Sequence, residues 1–208
     1  MKYRLLIGLL ALAPSGCTGS LFHSNAPAIA TYQLSVDAKP AGAPLAADLA
    51  VLIPRVRSGL NNDRIAVLYP DRRLDYLAAA RWSGPVDEML QDLALQAFRE
   101  AGQLRNVDTD ASAFASGYWL EIEVVDFQAE YPAGQADAAP TVHVHLLGRV
   151  GAAGDRHLLE DVQADARQQA ADNRMTAIVA AYNQATTSAL TQLVAATTEA
   201  LRHNPLRR

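Results

Sequence analysis

The sequence predicts a mixed α/β fold of the α+β kind: a single-domain sandwich in which a mixed, largely antiparallel sheet packs against two main amphipathic helices. Three observations predict it. Apolar residues recur at three- and four-residue spacing in two segments, 86–98 and 175–200, the signature of a helix with one buried face. Between them, segments 118–131, 142–146 and 161–167 are strand-like and joined by short loops, the pattern of an antiparallel meander. Upstream lie short branched-rich runs bounded by turn residues. The chain has 208 residues, half of them apolar and 19% charged, with one cysteine. That is an ordinary globular composition, and with no internal disulfide possible its stability has to come from packing.

The first 16 residues read as a signal peptide. Lys2 and Arg4 precede an apolar run from Leu5 to Ala13, and small residues follow up to Cys17, the layout of a secretory leader. An apolar run of about nine residues is too short for a bilayer core that needs roughly 20 in a helix, so removal is expected. Ser15-Gly16-Cys17 resembles the lipobox of bacterial lipoproteins, in which the cysteine thiol receives a diacylglycerol and becomes the new N-terminus. Pro14 departs from it, standing where that pattern prefers Leu. The resemblance implies lipidation of Cys17 and, with Thr18 instead of Asp after it, sorting to the outer membrane. Several acyl chains at roughly 0.8 kcal/mol per buried methylene make a stable membrane tether. The plainer alternative is a secreted protein with an incidental free thiol. Residues 17–30, small, polar and proline-containing, suit a lipidated flexible spacer, leaving 31–204 as the folded domain. The formal charge of −4 becomes −6 once Lys2 and Arg4 leave, and the absence of a basic cluster argues against nucleic-acid binding.

Along the domain, Thr31–Val36 is the first strand candidate. Leu49–Pro54 and Arg64–Tyr69 follow as strands around the turn signal SGLNND. Segment LDYLAAARW places Leu74, Tyr76, Ala78, Ala80 and Trp82 on one face at period two. The first helix is the clearest local signal: Ser83-Gly84 at the cap, Pro85 at the first helical position, Asp87 and Glu88 in the first turn, and Gly102 as the stop. In segment 118–131 the apolar set changes parity at Val124 and Val125, which indicates either a β-bulge or a strand buried on both faces. Val142, Val144 and Leu146 then alternate with His143 and His145, and Val162, Ala164 and Ala166 with Asp161, Gln163, Asp165 and Arg167.

The last helix is predicted from Asp172 as N-cap to about His203, with Met175, Ile178, Tyr182, Ala185, Ala189, Leu193, Ala196 and Ala200 as its apolar stripe. Its other face carries no charge between Arg174 and Glu199. Asn183, Gln184, Thr187, Ser188, Thr191 and Gln192 stand where water-facing helices usually carry Glu and Lys. Interface centres are depleted in charge, so this face is a candidate partner or homo-oligomer surface; the alternative is a Thr- and Ala-rich surface helix.

Catalytic signals are missing from the sequence. There is no nucleophile elbow, P-loop or Gly-rich dinucleotide fingerprint, and no cofactor is expected. His143 and His145 project to the same face of a strand, a spacing that can chelate, but no third ligand is spaced to join them. They read as plain residues of a solvent face, with no metal.

Segment GLNNDRIAVLYPDRRLDYLAAARWSGPVDEMLQDLALQAFREAG resembles the core signature of the ABC-type transport auxiliary lipoproteins, which include the paraquat-inducible protein C lipoproteins. The resemblance rests on Gly59-Leu60, Asp63-Arg64-Ile65, the Arg81-Trp82 pair, Pro85, the opening Tyr32-Gln33-Leu34, and the closing segment AYNQATTSALTQLVAATTEAL. Ser83-Gly84 departs from it, since the family more often has a small residue and an acid there. The resemblance implies a non-catalytic periplasmic subunit tethered to the outer membrane. It further implies an ABC transporter permease and a protein with an MCE (mammalian-cell-entry) domain as partners, lipids or other hydrophobic molecules as cargo, and ring-like oligomers. The runner-up is a lipoprotein that binds soluble ligands or assists envelope assembly without an ABC partner. For Arg81 and Trp82 a partner contact is one reading. The other is structural: Trp82 ends a strand and packs under the helix, as a large aromatic before a cap commonly does.

Overall fold

The computed structural model describes residues 28–39, 42–112, 115–135 and 137–206; Cys17 and the signal peptide lie outside them. Nine strands and two helices are present among the described residues: β1 (Ala30–Tyr32), β2 (Leu45–Val51), β3 (Arg55–Val56), β4 (Arg64–Leu68), β5 (Leu74–Trp82), α1 (Val86–Ala101), β6 (Leu104–Thr109), β7 (Tyr118–Glu130), β8 (Thr141–Ala152), β9 (Leu158–Gln169) and α2 (Met175–His203). The mixed α+β class predicted from the sequence is the one observed.

Strand β7 is the spine. One edge pairs antiparallel with β8 along its whole length, and β8 pairs antiparallel with β9. The other edge is divided among three parallel strands: β2 along Tyr118–Leu120, β3 at Glu123–Val124 and β4 at Ala129–Glu130. From there the sheet forks. One arm continues through β2 to β6, the other through β4 to β5 and β1. The register of β7 against β8 shifts between Val124 and Asp126, so Val125 is the extra residue of a bulge and the parity change in the sequence is explained.

Both helices pack on one face and against each other: α2 over β8 and β9, α1 over β6, β2 and β3. Helix α2 comes close because position 148 is glycine. A Cβ there would stand 2.6 Å from Val162 Cγ2 and 3.1 Å from Leu193 Cδ1. The opposite face of β7–β9 is uncovered by either helix, which an antiparallel sheet tolerates when that face is polar.

Several boundaries differ from the sequence reading. Helix α1 begins at Val86, with Pro85 at the N-cap and no side-chain cap of its own; Gly102 ends it in the left-handed conformation, φ 63°. Helix α2 begins three residues beyond Asp172. The Asp172 carboxylate accepts from the Arg174 backbone N–H at 2.9 Å and so closes a turn ahead of the helix. In β5 the period-two face is broken: Ala79 has φ 54° and the register against β4 slips there, leaving Leu74 exposed while Ala80 and Trp82 are buried. Strand β6 has no periodic signal; its pairing with β2 creates it.

The first strand candidate is only partly a strand. Ala30–Tyr32 pairs with β5, but the chain then runs extended without a strand partner among the described residues. Leu34, Val36 and Ala38 are buried, and Gln33, Ser35, Asp37 and Lys39 face out. Its backbone is held by side chains of both helices. Asn183 and Thr187 on α2 bond to Ser35, and Gln96 and Glu100 on α1 bond to Val36 and Ala38.

Candidate functional site

The central motifs that suggested a family, from Gly59 to Pro85, meet at one junction. In the loop before β4, Gly59 takes φ 89° and its carbonyl accepts from the Tyr76 hydroxyl at 2.6 Å. Leu60 and Ile65 are buried. Asn61 supplies the cap that α1 lacks: its Oδ1 accepts from the Asp87 backbone N–H at 3.2 Å, and its amide donates to the Asp87 carboxylate at 2.9 Å. The Asp63 carbonyl accepts from the Trp82 backbone N–H at 2.7 Å, and the Asp63 carboxylate lies 3.7 Å from the Arg81 guanidinium. Arg81 also donates to the Thr31 hydroxyl at 3.3 Å, tying β1 to this junction.

Trp82 points into the core. It is 1% exposed and packs edge-on to Tyr182 at 5.0 Å between ring centroids, with Phe127 at 6.0 Å. Its indole N–H has no hydrogen-bond acceptor among the described residues. The Tyr182 hydroxyl donates to the Ala66 carbonyl at 2.6 Å, and complete burial pushes its pKa well above the ordinary tyrosine range. Arg81, Trp82 and Pro85 are thus gathered where β4, β5 and α1 join, with the Trp82 ring packed against β7 and α2.

The uncharged face of α2 is narrower than its sequence suggests. Asn183 accepts from the Ser35 backbone N–H at 2.8 Å, and Thr187 donates to the Ser35 carbonyl at 3.5 Å. Gln192 accepts from the Asp165 backbone N–H at 3.2 Å, filling a free donor on the outer edge of β9. Thr191 donates back to the Thr187 carbonyl at 2.7 Å within the helix. Gln184, Ser188, Thr191 and Gln192 remain exposed, with Ala180 and Ala195 extending the stripe.

His143 departs from the expected solvent-facing residue. It lies on the helix-free face of the meander, yet only 8% of its side chain is accessible. Arg167 lies 2.9 Å from Nδ1 and Asp165 Oδ2 lies 3.0 Å from Nε2. Glu130 lies 3.1 Å from Nδ1, and the Arg167 guanidinium bonds to it at 2.6 Å. His145 stacks on His143, with centroids 6.1 Å apart and planes within 9°, and reaches Asp126 at 3.6 Å. The hydrogen bond from His143 holds the Asp165 carboxyl below the usual carboxylate range, against some desolvation. Burial pushes Glu130 upward, but Arg167, Gln128 and His143 together outweigh it and hold this carboxyl low. Further along the same face, Arg55 and Arg149 converge on Glu121, at 2.9 and 3.4 Å, around an open depression of about 340 Å³. No three His, Cys, Asp or Glu side chains among the described residues are placed to hold a metal ion.

With this geometry the chain can be compared with known proteins. The family model of the ABC-type transport auxiliary lipoprotein component matches residues 32–194. This chain belongs to that family. No curated protein matches it. Among solved structures, a Xanthomonas campestris protein superposes with TM-score 0.75 at 24% identity, over 84% of this chain and 98% of the other. An uncharacterized protein superposes with TM-score 0.59 at 14% identity, over 79% and 95%. At these identities the likeness is one of fold. In this auxiliary lipoprotein the matched stretch begins at the C-terminal end of β1 and runs through most of α2, so it takes in the junction, the meander and the uncharged helix face.

Proposed function

We propose that this auxiliary lipoprotein is a non-catalytic periplasmic subunit of an ABC/MCE-type intermembrane transport system, carrying lipids or other hydrophobic molecules. It is held at the outer membrane by acylated Cys17. The family match over 32–194 carries this reading. Two features support it: the leader that ends at a lone cysteine, and the commitment of the family's central motifs to one structural junction. No helix among the described residues is long and apolar enough to cross a membrane, so in this reading the acyl chains supply the attachment. The exposed part of the α2 face, Gln184, Ser188, Thr191 and Gln192, is the surface through which copies or partners meet.

Affinity capture from detergent-solubilised envelope tests the assignment. Recovery of an inner-membrane permease together with an MCE-domain protein is expected, and lipid mass spectrometry of that complex then identifies the cargo. Capture that yields neither protein, but a stoichiometric small solute, replaces this reading with that of a tethered solute binder.

A further inference from the structure

Residues 30–38, near the start of the described residues, are attached to the domain largely through side chains of the two helices. Strand β1 has three residues, sits at the sheet edge and pairs only with Ala80–Trp82. Beyond it, residues 34–38 make no backbone-to-backbone hydrogen bond among the described residues. Their polar backbone groups are met by four side chains instead. Asn183 takes the Ser35 N–H at 2.8 Å and Thr187 reaches the Ser35 carbonyl at 3.5 Å, both from α2; Gln96 donates to the Val36 carbonyl at 3.1 Å and Glu100 takes the Ala38 N–H at 2.9 Å, both from α1. Gln96 also donates to Glu100 at 2.7 Å, so the two α1 anchors are held together. Only Leu34, Val36 and Ala38 are buried by this stretch. Elements with few buried apolar contacts and exposed hydrogen bonds occupy the low end of a protein's local stability scale.

We propose that residues 30–38 form a releasable arm that stores tether length: it detaches from the α1–α2 groove and from β5 as a unit while the other eight described strands stay folded. This purpose rests on the reading of Cys17 as the acylated anchor. With the arm docked, the chain between Cys17 and Ala30 spans at most about 45 Å. With the arm released, the next hold on the domain is at Ala43, whose carbonyl accepts from Arg202 at 3.0 Å, and the chain from Cys17 to that point spans at most about 90 Å. Release therefore roughly doubles the distance from the membrane at which the folded domain can work. Both helices grip the arm, so loss of an anchor on one helix weakens the hold of the other.

Two measurements on the unacylated full chain test the arm independently of the anchor. In native-state hydrogen exchange, the Ser35 and Ala38 amides are expected to exchange at least a hundredfold faster than β7–β8 ladder amides, with a weaker dependence on denaturant. Exchange of all of them at one rate and one denaturant dependence overturns the proposal. Asn183→Ala is expected to speed Ser35 and Ala38 together, by about fivefold to tenfold for one lost hydrogen bond, and Glu100→Ala likewise. A response confined to the amide next to the altered residue means piecemeal fraying and also overturns it. In a pulling experiment with one handle on the thiol of Cys17, the only cysteine, and the other at the C-terminus, an early step is expected before the domain yields, equal to about 45 Å of freed contour less the span that the docked arm already covers. Unfolding in one event from residue 30 onward contradicts the arm. Mass spectrometry of the mature N-terminus tests the anchor separately.

Discussion

Trp82 shows how one residue serves both the family pattern and the fold. Its indole fills the space between β7 and α2, against Phe127 and Tyr182, with 1% of its surface left. Trp82→Ala removes the largest side chain of that cluster and is expected to cost about 3–5 kcal/mol, read from the denaturant midpoint. Tyr182→Phe keeps the ring but strands the Ala66 carbonyl in the core. A loss of about 1–3 kcal/mol is expected in the same assay. The indole N–H of Trp82, unpaired among the described residues, predicts a contrast: replacement by Phe deletes no hydrogen bond and costs less than replacement by Ala. The tryptophan itself could be singled out in the sequence, because a large aromatic next to a helix start seldom faces water. Its partners at positions 127 and 182 could not be, since no local spacing links three elements that meet only in the fold.

At the scale of the element, the meander is the part whose polar face the sequence described least well. Strict alternation in β8 says that His143 and His145 share a face, and they do. It cannot say that carboxylates from β7 and β9 rise around them, because that depends on cross-strand register: Gln128 and Arg167 lie opposite His143, and Asp126 and Asp165 opposite His145. The register gives the meander an acid sensitivity with a definite sign. Asp165 and Glu130 are both held below their ordinary range in the folded state. Their contribution is fully present above the unfolded carboxylate value of roughly 4 and disappears as pH falls through the lower folded values. Melting temperature is therefore expected to drop as pH is lowered below about 4, and His143→Ala to flatten that part of the profile by removing a hydrogen-bond partner of both carboxylates. A profile unchanged by the substitution would remove the cluster from the account.

For the whole molecule the open question is what meets the exposed stripe of α2. Thr187 belongs to the arm's docking site, so charging it would disturb two things at once. Ser188→Glu with Thr191→Glu places two charges on the stripe and spares the contacts to Ser35. The expected outcome is a fall in assembly mass by analytical ultracentrifugation, with an unchanged circular dichroism spectrum; an unaltered mass dismisses the stripe as the interface. Tether and assembly separate cleanly by experiment. Cys17→Ser is expected to move the protein from the membrane to the soluble periplasmic fraction and leave the domain's unfolding free energy within about 0.5 kcal/mol of its original value.

By itself the sequence determined the class of fold, both helices and the antiparallel meander, because each is written in the spacing of apolar residues along one segment; at Val124 and Val125 it left a bulge and a doubly buried strand as alternatives, and the register against β8 decided for the bulge. Family membership was legible too, in short motifs arranged in a fixed order. The tertiary structure alone decided how β7 divides its second edge among three parallel strands, that β6 is a strand at all, and that Asn183 and Thr187 hold a neighbouring stretch of the same chain. Those outcomes depend on which backbone lies beside which, and pairings between residues as far apart as Ser35 and Asn183 leave no trace in local periodicity.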